Sequence, residues 1–279
     1  MIQNFDIILL IAVVIICICG FLYPVFYRRF KEVPKQIILQ KEEKQKWDIV
    51  YILRNDINED DEELKYSLRS LENFEYNKVC FAGGAPSNLV PDYQLEFEQE
   101  GHNKWRKVRN TIEAICNDPN ISENFWLFND DFFILKPYDQ DKIYYNGTIP
   151  ELIQRLEAQR GKGIAYVKHI NRSLIILQEN EMPIKNYSLH MPMLINKEKG
   201  KEVLEKFQYG SAFRNLYGNY VDEGNAVCAD CKISTPNILP EDTWGVVSTN
   251  ERVFGYGEIG KFIRNKFQEK SRFELENES

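Results

Sequence analysis

Phe125-Trp126-Leu127-Phe128-Asn129-Asp130-Asp131-Phe132-Phe133 is an apolar run that ends abruptly in two adjacent carboxylates. A short, continuous apolar run reads as a strand buried on both faces, the mark of a parallel sheet inside an α/β domain. Burial makes the last peptide of such a strand rigid. Paired acids at a rigid strand end suit a divalent cation, which takes hard oxygen ligands. The same residue types also suit a turn or a helix N-cap, so the flanking sequence has to decide between the two.

Working outward, the strand sits in a regular alternation. Asp48-Ile-Val-Tyr-Ile-Leu53 is a second buried-strand pattern, followed by a polar loop over 54–61. The spacing predicts a helix over 60–73, with acids in its first turn and Leu64, Leu68 and Leu71 on one face. Residues 78–82 read as a strand stopped by Gly83-Gly84-Ala85-Pro86. Helices are expected around 104–117, 150–159 and 197–207, further apolar runs lie at 163–167 and 174–177, and 244–248 reads as a late strand. Such alternation predicts an α/β fold: a mainly parallel, Rossmann-like sheet with helices on both faces. Ligands of such sheets gather at the carboxyl ends of the strands. Asp56, Gly83, Gly84, Asp130 and Asp131 all follow strand ends, so one cleft is expected to collect them.

The chain has 279 residues, 28% charged and 43% hydrophobic, which fits one medium-sized catalytic domain. Its formal net charge of -7 argues against a nucleic-acid partner, because a phosphate backbone needs a concentrated basic footprint. The N-terminus stands apart. Residues 7–27 carry no charge and match the roughly 20 residues needed to cross a bilayer. The basic residues Arg28, Arg29, Lys31 and Lys35 follow the run and only Asp6 precedes it, the reverse of a secretory signal. The expected organisation is a membrane anchor over 1–31, a stalk over 32–46 and a catalytic domain over 47–279. The positive-inside rule then makes this a single-pass membrane protein with its catalytic domain in the cytoplasm.

Six cysteines with no disulfide framework suit a reducing compartment. Cys228-Ala-Asp-Cys231 is a single CxxC without a second pair, too little for a structural zinc site. Gly255-Tyr-Gly257-Glu-Ile-Gly260 has the glycine spacing of a dinucleotide fingerprint. That fingerprint also needs a following strand with an acid, and the sequence given stops at Ser279.

Several of these segments together resemble the Stealth family, which includes bacterial capsular polysaccharide phosphotransferases and the catalytic subunit of N-acetylglucosamine-1-phosphotransferase. Asp48-Ile-Val-Tyr51 resembles its first block, with Leu53-Arg54-Asn55-Asp56 where the family has Trp-Val-Asn/Asp-Gly. Residues 63–72, the Gly83-Gly84 turn, Arg109-Asn110-Thr-Ile-Glu113 and the stretch 125–133 resemble the second. His190-Met-Pro and Phe213-Arg214 resemble the third. Residues 259–274, a helix ending in Ser271-Arg-Phe-Glu274, resemble the last. Ser248-Thr249-Asn250 stands where that block has an Asn-Asp pair, which leaves Asp242 as the upstream carboxylate.

The resemblance implies transfer of a sugar 1-phosphate from a nucleotide-sugar to a hydroxyl of an acceptor glycan, free or lipid-linked. It implies a GT-A-like sheet and a metal, Mg²⁺ or Mn²⁺, on Asp130 and Asp131. Arg69 and Arg214 are the phosphate candidates, since the planar guanidinium fork matches phosphoryl oxygens. Gly83, Gly84, Arg109, Asn110 and Asp242 are expected to line or orient the substrate site. His190 is the candidate base, imidazole being able to exchange protons near neutral pH. Two alternatives stay open: a glycosyltransferase that moves the sugar itself, and an inactive glycan- or nucleotide-binding membrane protein. Each residue also has an ordinary explanation. A lone arginine on an amphipathic helix more often makes an ion pair, and a histidine before Met-Pro can be a satisfied core residue.

Overall fold

Strand β1 (Asp48–Ile52) is the centre of the molecule, hydrogen-bonded in parallel on both sides, to β2 (Val79–Ala82) and to β4 (Asn124–Phe128). A computed structural model describes residues 45–57, 60–101, 103–161, 163–207 and 212–275. The apolar run at 7–27 lies outside those residues. Among the described residues no helix is long and apolar enough to cross a membrane. The chain from Lys46 onward forms one unit.

The main sheet has the order β3-β2-β1-β4-β7, where β3 is Tyr93–Leu95 and β7 is Met193–Asn196. The first four strands are parallel, and β7 closes the edge antiparallel to β4. The expected α/β class and mainly parallel sheet are therefore present. Successive β1 residues alternate between two cores, as a pleated strand requires. Ile49, Tyr51 and Leu53 pack with Leu64, Leu68 and Leu71 of the helical segment that begins as α1 (Glu62–Ser70). Val50 packs on the other face with Ile112, Ile115, Ile170, Leu177 and Leu204. Those residues come from α2 (Lys104–Asn117), α4 (Ala165–Glu179) and α5 (Lys197–Lys206), which lie with α3 (Ile149–Arg160) and α6 (Phe213–Val221). Helices thus cover both faces.

Local signals explain several boundaries. Asp61 caps α1 through a 2.9 Å bond from the Leu64 N–H, and Thr148 with Glu151 forms a capping box on α3. The apolar runs at 163–167 and 174–177 prove to be one helix, α4. Val167, Ile170, Leu174 and Leu177 are buried at helical spacing, and no turn residue interrupts them.

Residues 244–248 do form a strand, β9 (Val246–Ser248), but outside the main sheet. It pairs antiparallel with β5 (Phe132–Ile134), which continues the 125–133 run beyond the acids at which the sequence pattern ends. A further short pair joins β6 (Tyr144–Tyr145) to β8 (Ala226–Val227). The helix expected over 259–274 is α8 (Glu258–Lys266) and stops at Lys266; it follows α7 (Glu251–Tyr256). Gly257 and Gly260 lie where these two helices meet, and a Cβ on Gly260 would collide with the Phe254 carbonyl. Close helix packing accounts for that glycine spacing.

Candidate functional site

The sheet order places β4 on one side of β1 and β2 on the other, so the chains leaving β1 and β4 diverge at their carboxyl ends. That divergence is where open α/β sheets place ligands. A cleft of about 710 Å³ opens there, lined by Arg54 and Asp56 after β1, by Asn129 and Asp130 after β4, and by His190 and Arg214. Trp105 of α2 and His169 of α4 complete one wall, stacked with ring centroids 4.3 Å apart. Burial together with Arg172 and Lys104 pushes the His169 imidazole down to about 4, so it is a neutral stacking partner at physiological pH.

The two glycines after β2 act beside this cleft. Gly83 has a φ of 114°, and a Cβ on it would strike the Leu53 carbonyl oxygen; one on Gly84 would come 2.6 Å from the Arg54 carbonyl oxygen. They let the β2 turn press against the loop leaving β1, and neither is among the residues that line the cleft.

The turn Asn129-Asp130-Asp131 joins β4 to β5 and is pinned from two directions. Ser67 of α1 donates to the Phe132 carbonyl at 2.5 Å and bonds the Tyr51 hydroxyl at 2.9 Å, while Ser70 accepts from the Ile134 N–H at 3.0 Å. From the other side the Thr249 N–H reaches the Asp131 carbonyl at 3.4 Å.

The two adjacent acids meet different surroundings. Asp130 lines the cleft. Asp131 is buried; its Oδ2 takes Lys232 Nζ at 2.5 Å and Ser248 Oγ at 2.9 Å, and among the described residues its buried Oδ1 has no hydrogen-bond partner. Burial, followed by the charges of Asp131 and Asp61, pushes the Asp130 carboxyl up to about 7. Glu63 on α1, whose Oε1 accepts from Thr249 Oγ1 at 2.6 Å, is also pushed to about 7, by burial and then by Asp131 and Asp130.

Negative charge is therefore held at this turn against its own repulsion. Among the described residues no three His, Cys, Asp or Glu side chains converge as a ready metal cage. The orphaned Asp131 Oδ1 and the raised Asp130 do fit a divalent cation that brings phosphate and water ligands of its own.

His190 is held by a residue to which no sequence motif points. Asp230, inside Cys228-Ala-Asp-Cys231, accepts from the His190 N–H at 3.0 Å and meets Nδ1 through both carboxylate oxygens at 3.0 Å. Burial works to raise the Asp230 carboxyl, but its bonds and charge attraction to His190 outweigh that and hold it below the usual range. An ionised acceptor at Nδ1 puts the proton there and leaves Nε2 as the basic nitrogen. Arg214 donates to the carbonyls of Met191 at 2.8 Å and Leu127 at 3.5 Å, and its guanidinium lies over the Phe132 ring. Burial brings it down to about 10, still cationic.

Four other candidates are placed elsewhere. Arg69 forms a buried two-pronged pair with Glu274, at 2.8 and 2.6 Å, and also bonds the carbonyls of Phe267 and Gln268; it anchors the C-terminal segment. Arg109 bonds the Leu204 and Phe207 carbonyls and so closes the end of α5, where helix carbonyls lack partners. Asn110 accepts from the Glu100 N–H at 3.1 Å. Asp242 is exposed, and its backbone carbonyl accepts from Lys136. None of the four lines the cleft.

Arg54 lines the cleft, while Asp230 holds His190, Lys232 holds Asp131 and Glu63 bonds Thr249. The last three meet partners far along the chain, so no local spacing marks them. No family model matches the chain, and no curated protein matches it either.

Proposed function

We propose that this chain transfers a sugar 1-phosphate from a nucleotide-sugar to a hydroxyl of an acceptor glycan, with Mg²⁺ or Mn²⁺. The observation that carries the reading is the content of one cleft: an acid turn fit for a cation, a half-buried arginine and a carboxylate-held histidine. A nucleotide diphosphate needs its charge neutralised without its reacting phosphorus being blocked. The cation, held by Asp130 and Asp131, would polarise the phosphoryl oxygens and neutralise charge on them.

The residues of the chain supply the rest. Arg214 and Arg54 contact the remaining phosphate oxygens as charge-assisted donors. His190 Nε2 takes the proton of the acceptor hydroxyl, and Asp230 stabilises the imidazolium that forms. The acceptor oxygen forms a bond to the β-phosphorus, the bond to the bridging oxygen breaks, and nucleoside monophosphate leaves. The parallel strands with their antiparallel β7 edge support the GT-A-like form of the sheet. That form serves attack at the anomeric carbon equally, which keeps glycosyl transfer as the second reading.

Purified full-length protein incubated with a panel of nucleotide-sugars and Mg²⁺ or Mn²⁺ separates the two. Phosphorus NMR is expected to show nucleoside monophosphate and a new phosphodiester. Nucleoside diphosphate without a phosphodiester would replace the first reading by the second. Absence of metal-dependent turnover across the panel would leave a binding protein.

A further inference from the structure

The His190–Asp230 pair stands between two cavities. His190 lines the 710 Å³ cleft, whereas Asp230 lines a second cavity of about 360 Å³ together with Tyr138, Tyr144, Trp244, Asp139 and Met191. Their chemistry differs. The main cleft carries Arg54, Lys104, Lys107 and Arg214, which suits an anion, whereas no lysine, arginine or histidine is among the described residues that line the second cavity. With no lysine, arginine or histidine on its walls, the second cavity offers phosphates and nucleotides no cationic partner.

A cationic ligand gains little there as well. Asp139 is already paired with Lys142 at 2.9 Å, and Asp230 is already bonded to His190. What remains is a set of aromatic faces bordered by carboxylate acceptors. Tyr138 is fixed by stacking on Phe74, centroids 5.1 Å apart, and meets Tyr144 edge-on at 6.0 Å. Rigid aromatic walls with a few placed polar acceptors take a ligand that has one apolar face and several hydroxyls, the character of a pyranose.

We propose that this second cavity binds a neutral sugar unit of the acceptor, its ring against Trp244 and Tyr144 and its hydroxyls donating to Asp139 and Asp230. The role as an acceptor subsite rests on the transferase reading of the main cleft. The binding itself does not. A sugar unit seated here tethers the acceptor beside His190, so that a neighbouring hydroxyl is presented to the base. It also makes Asp230 common to both sites.

The test is calorimetry and saturation-transfer NMR on the full-length protein with neutral methyl pyranosides of hexoses and N-acetylhexosamines, and with their disaccharides. Tetramethylammonium and glucose 1-phosphate serve as the cationic and anionic probes. At least one neutral pyranoside is expected to bind in the millimolar range. Its affinity is expected to fall tenfold or more in Trp244→Ala and about threefold in Asp139→Asn, a change at an exposed residue that leaves the fold intact. Where turnover is measurable, Trp244→Ala is expected to raise the acceptor KM tenfold and leave the donor KM unchanged. The proposal is overturned if no pyranoside binds, if neither variant weakens binding, or if Trp244→Ala weakens binding of tetramethylammonium or glucose 1-phosphate and not of the pyranoside. Pyranoside binding that both variants weaken, in a protein with no nucleotide-sugar turnover, sinks only the transferase reading.

Discussion

Asp130 is an acid held at a charge that its surroundings oppose, and replacing it with asparagine turns that statement into a measurement. A carboxyl lifted from its ordinary 3.8 to about 7 costs the ionised folded state about 4 kcal/mol, at about 1.4 kcal/mol per tenfold change in proton affinity. Cleft water and small shifts of Asp61 and Asp131 relieve part of this, which leaves about 2 kcal/mol as the expected effect.

Because the folded value is raised, the stabilising contribution is whole below about pH 4. It is lost progressively as pH rises and is gone above about pH 7. The neutral amide of Asp130→Asn has no proton to lose in this range and escapes the loss. Thermal unfolding without divalent ions should therefore give nearly equal Tm values for wild type and Asp130→Asn at pH 4. At pH 8 the variant should be about 4–8 °C more stable, since 1 kcal/mol moves a domain of this size by roughly 2–4 °C. Magnesium or manganese at a hundred times its Kd should then return about 2.7 kcal/mol to the wild type and almost none to the variant. A gap that does not widen with pH refutes the electrostatic account. Equal stabilisation of both proteins by the cation refutes the metal assignment while leaving the electrostatics in place.

Asp230→Asn removes the ionised acceptor from His190 Nδ1 and should lower kcat by about 10²-fold or more with the donor KM unchanged, read from steady-state kinetics. Arg69→Ala strands the buried Glu274 carboxylate and should cost about 3 kcal/mol in denaturant unfolding, yet leave turnover per folded molecule intact. Gly83→Ala forces a side chain into a φ of 114° against the Leu53 carbonyl and should cost at least about 2 kcal/mol by the same unfolding assay. Ile170→Ala, on the buried stripe of α4, should cost about 3 kcal/mol, whereas a change at exposed Lys168 should cost almost nothing.

The elements legible in the sequence are those whose period or caps are local. The leucines of α1, the 104–117 helix and the strands at 48–52, 79–82 and 124–128 all announce themselves within a single window. The segment 163–177 misleads because two dense apolar patches hide one helical stripe. Strands β3 and β7 sit at the edges of the sheet and are only half-buried, so no dense apolar run marks them. In the site, Asp130, His190 and Arg214 are visible as reactive residue types in motif-like company, and the fold brings all three to one cleft. Arg69 and Arg109 look equivalent to Arg214 by type. A guanidinium that lines the cleft and one closing a helix end or pairing a glutamate differ only in what folds against them.

The sequence alone determined that this chain has an α/β core, that one of its buried strands ends on paired acids and that a candidate base lies about sixty residues further on. Those are properties of short-range order: side-chain period, burial preference and residue chemistry. Only the tertiary structure decided that the strand order opens a cleft between β1 and β4, and that Asp130 faces it while Asp131 is held by Lys232. It also decided that Asp230, forty residues from His190, holds the imidazole. The physical reason is that hydrogen bonds and charge attractions act through space at about 3 Å, and separation along the chain says nothing about them. Identity offers a side chain's chemistry; its partners in the fold determine which part of that chemistry remains available.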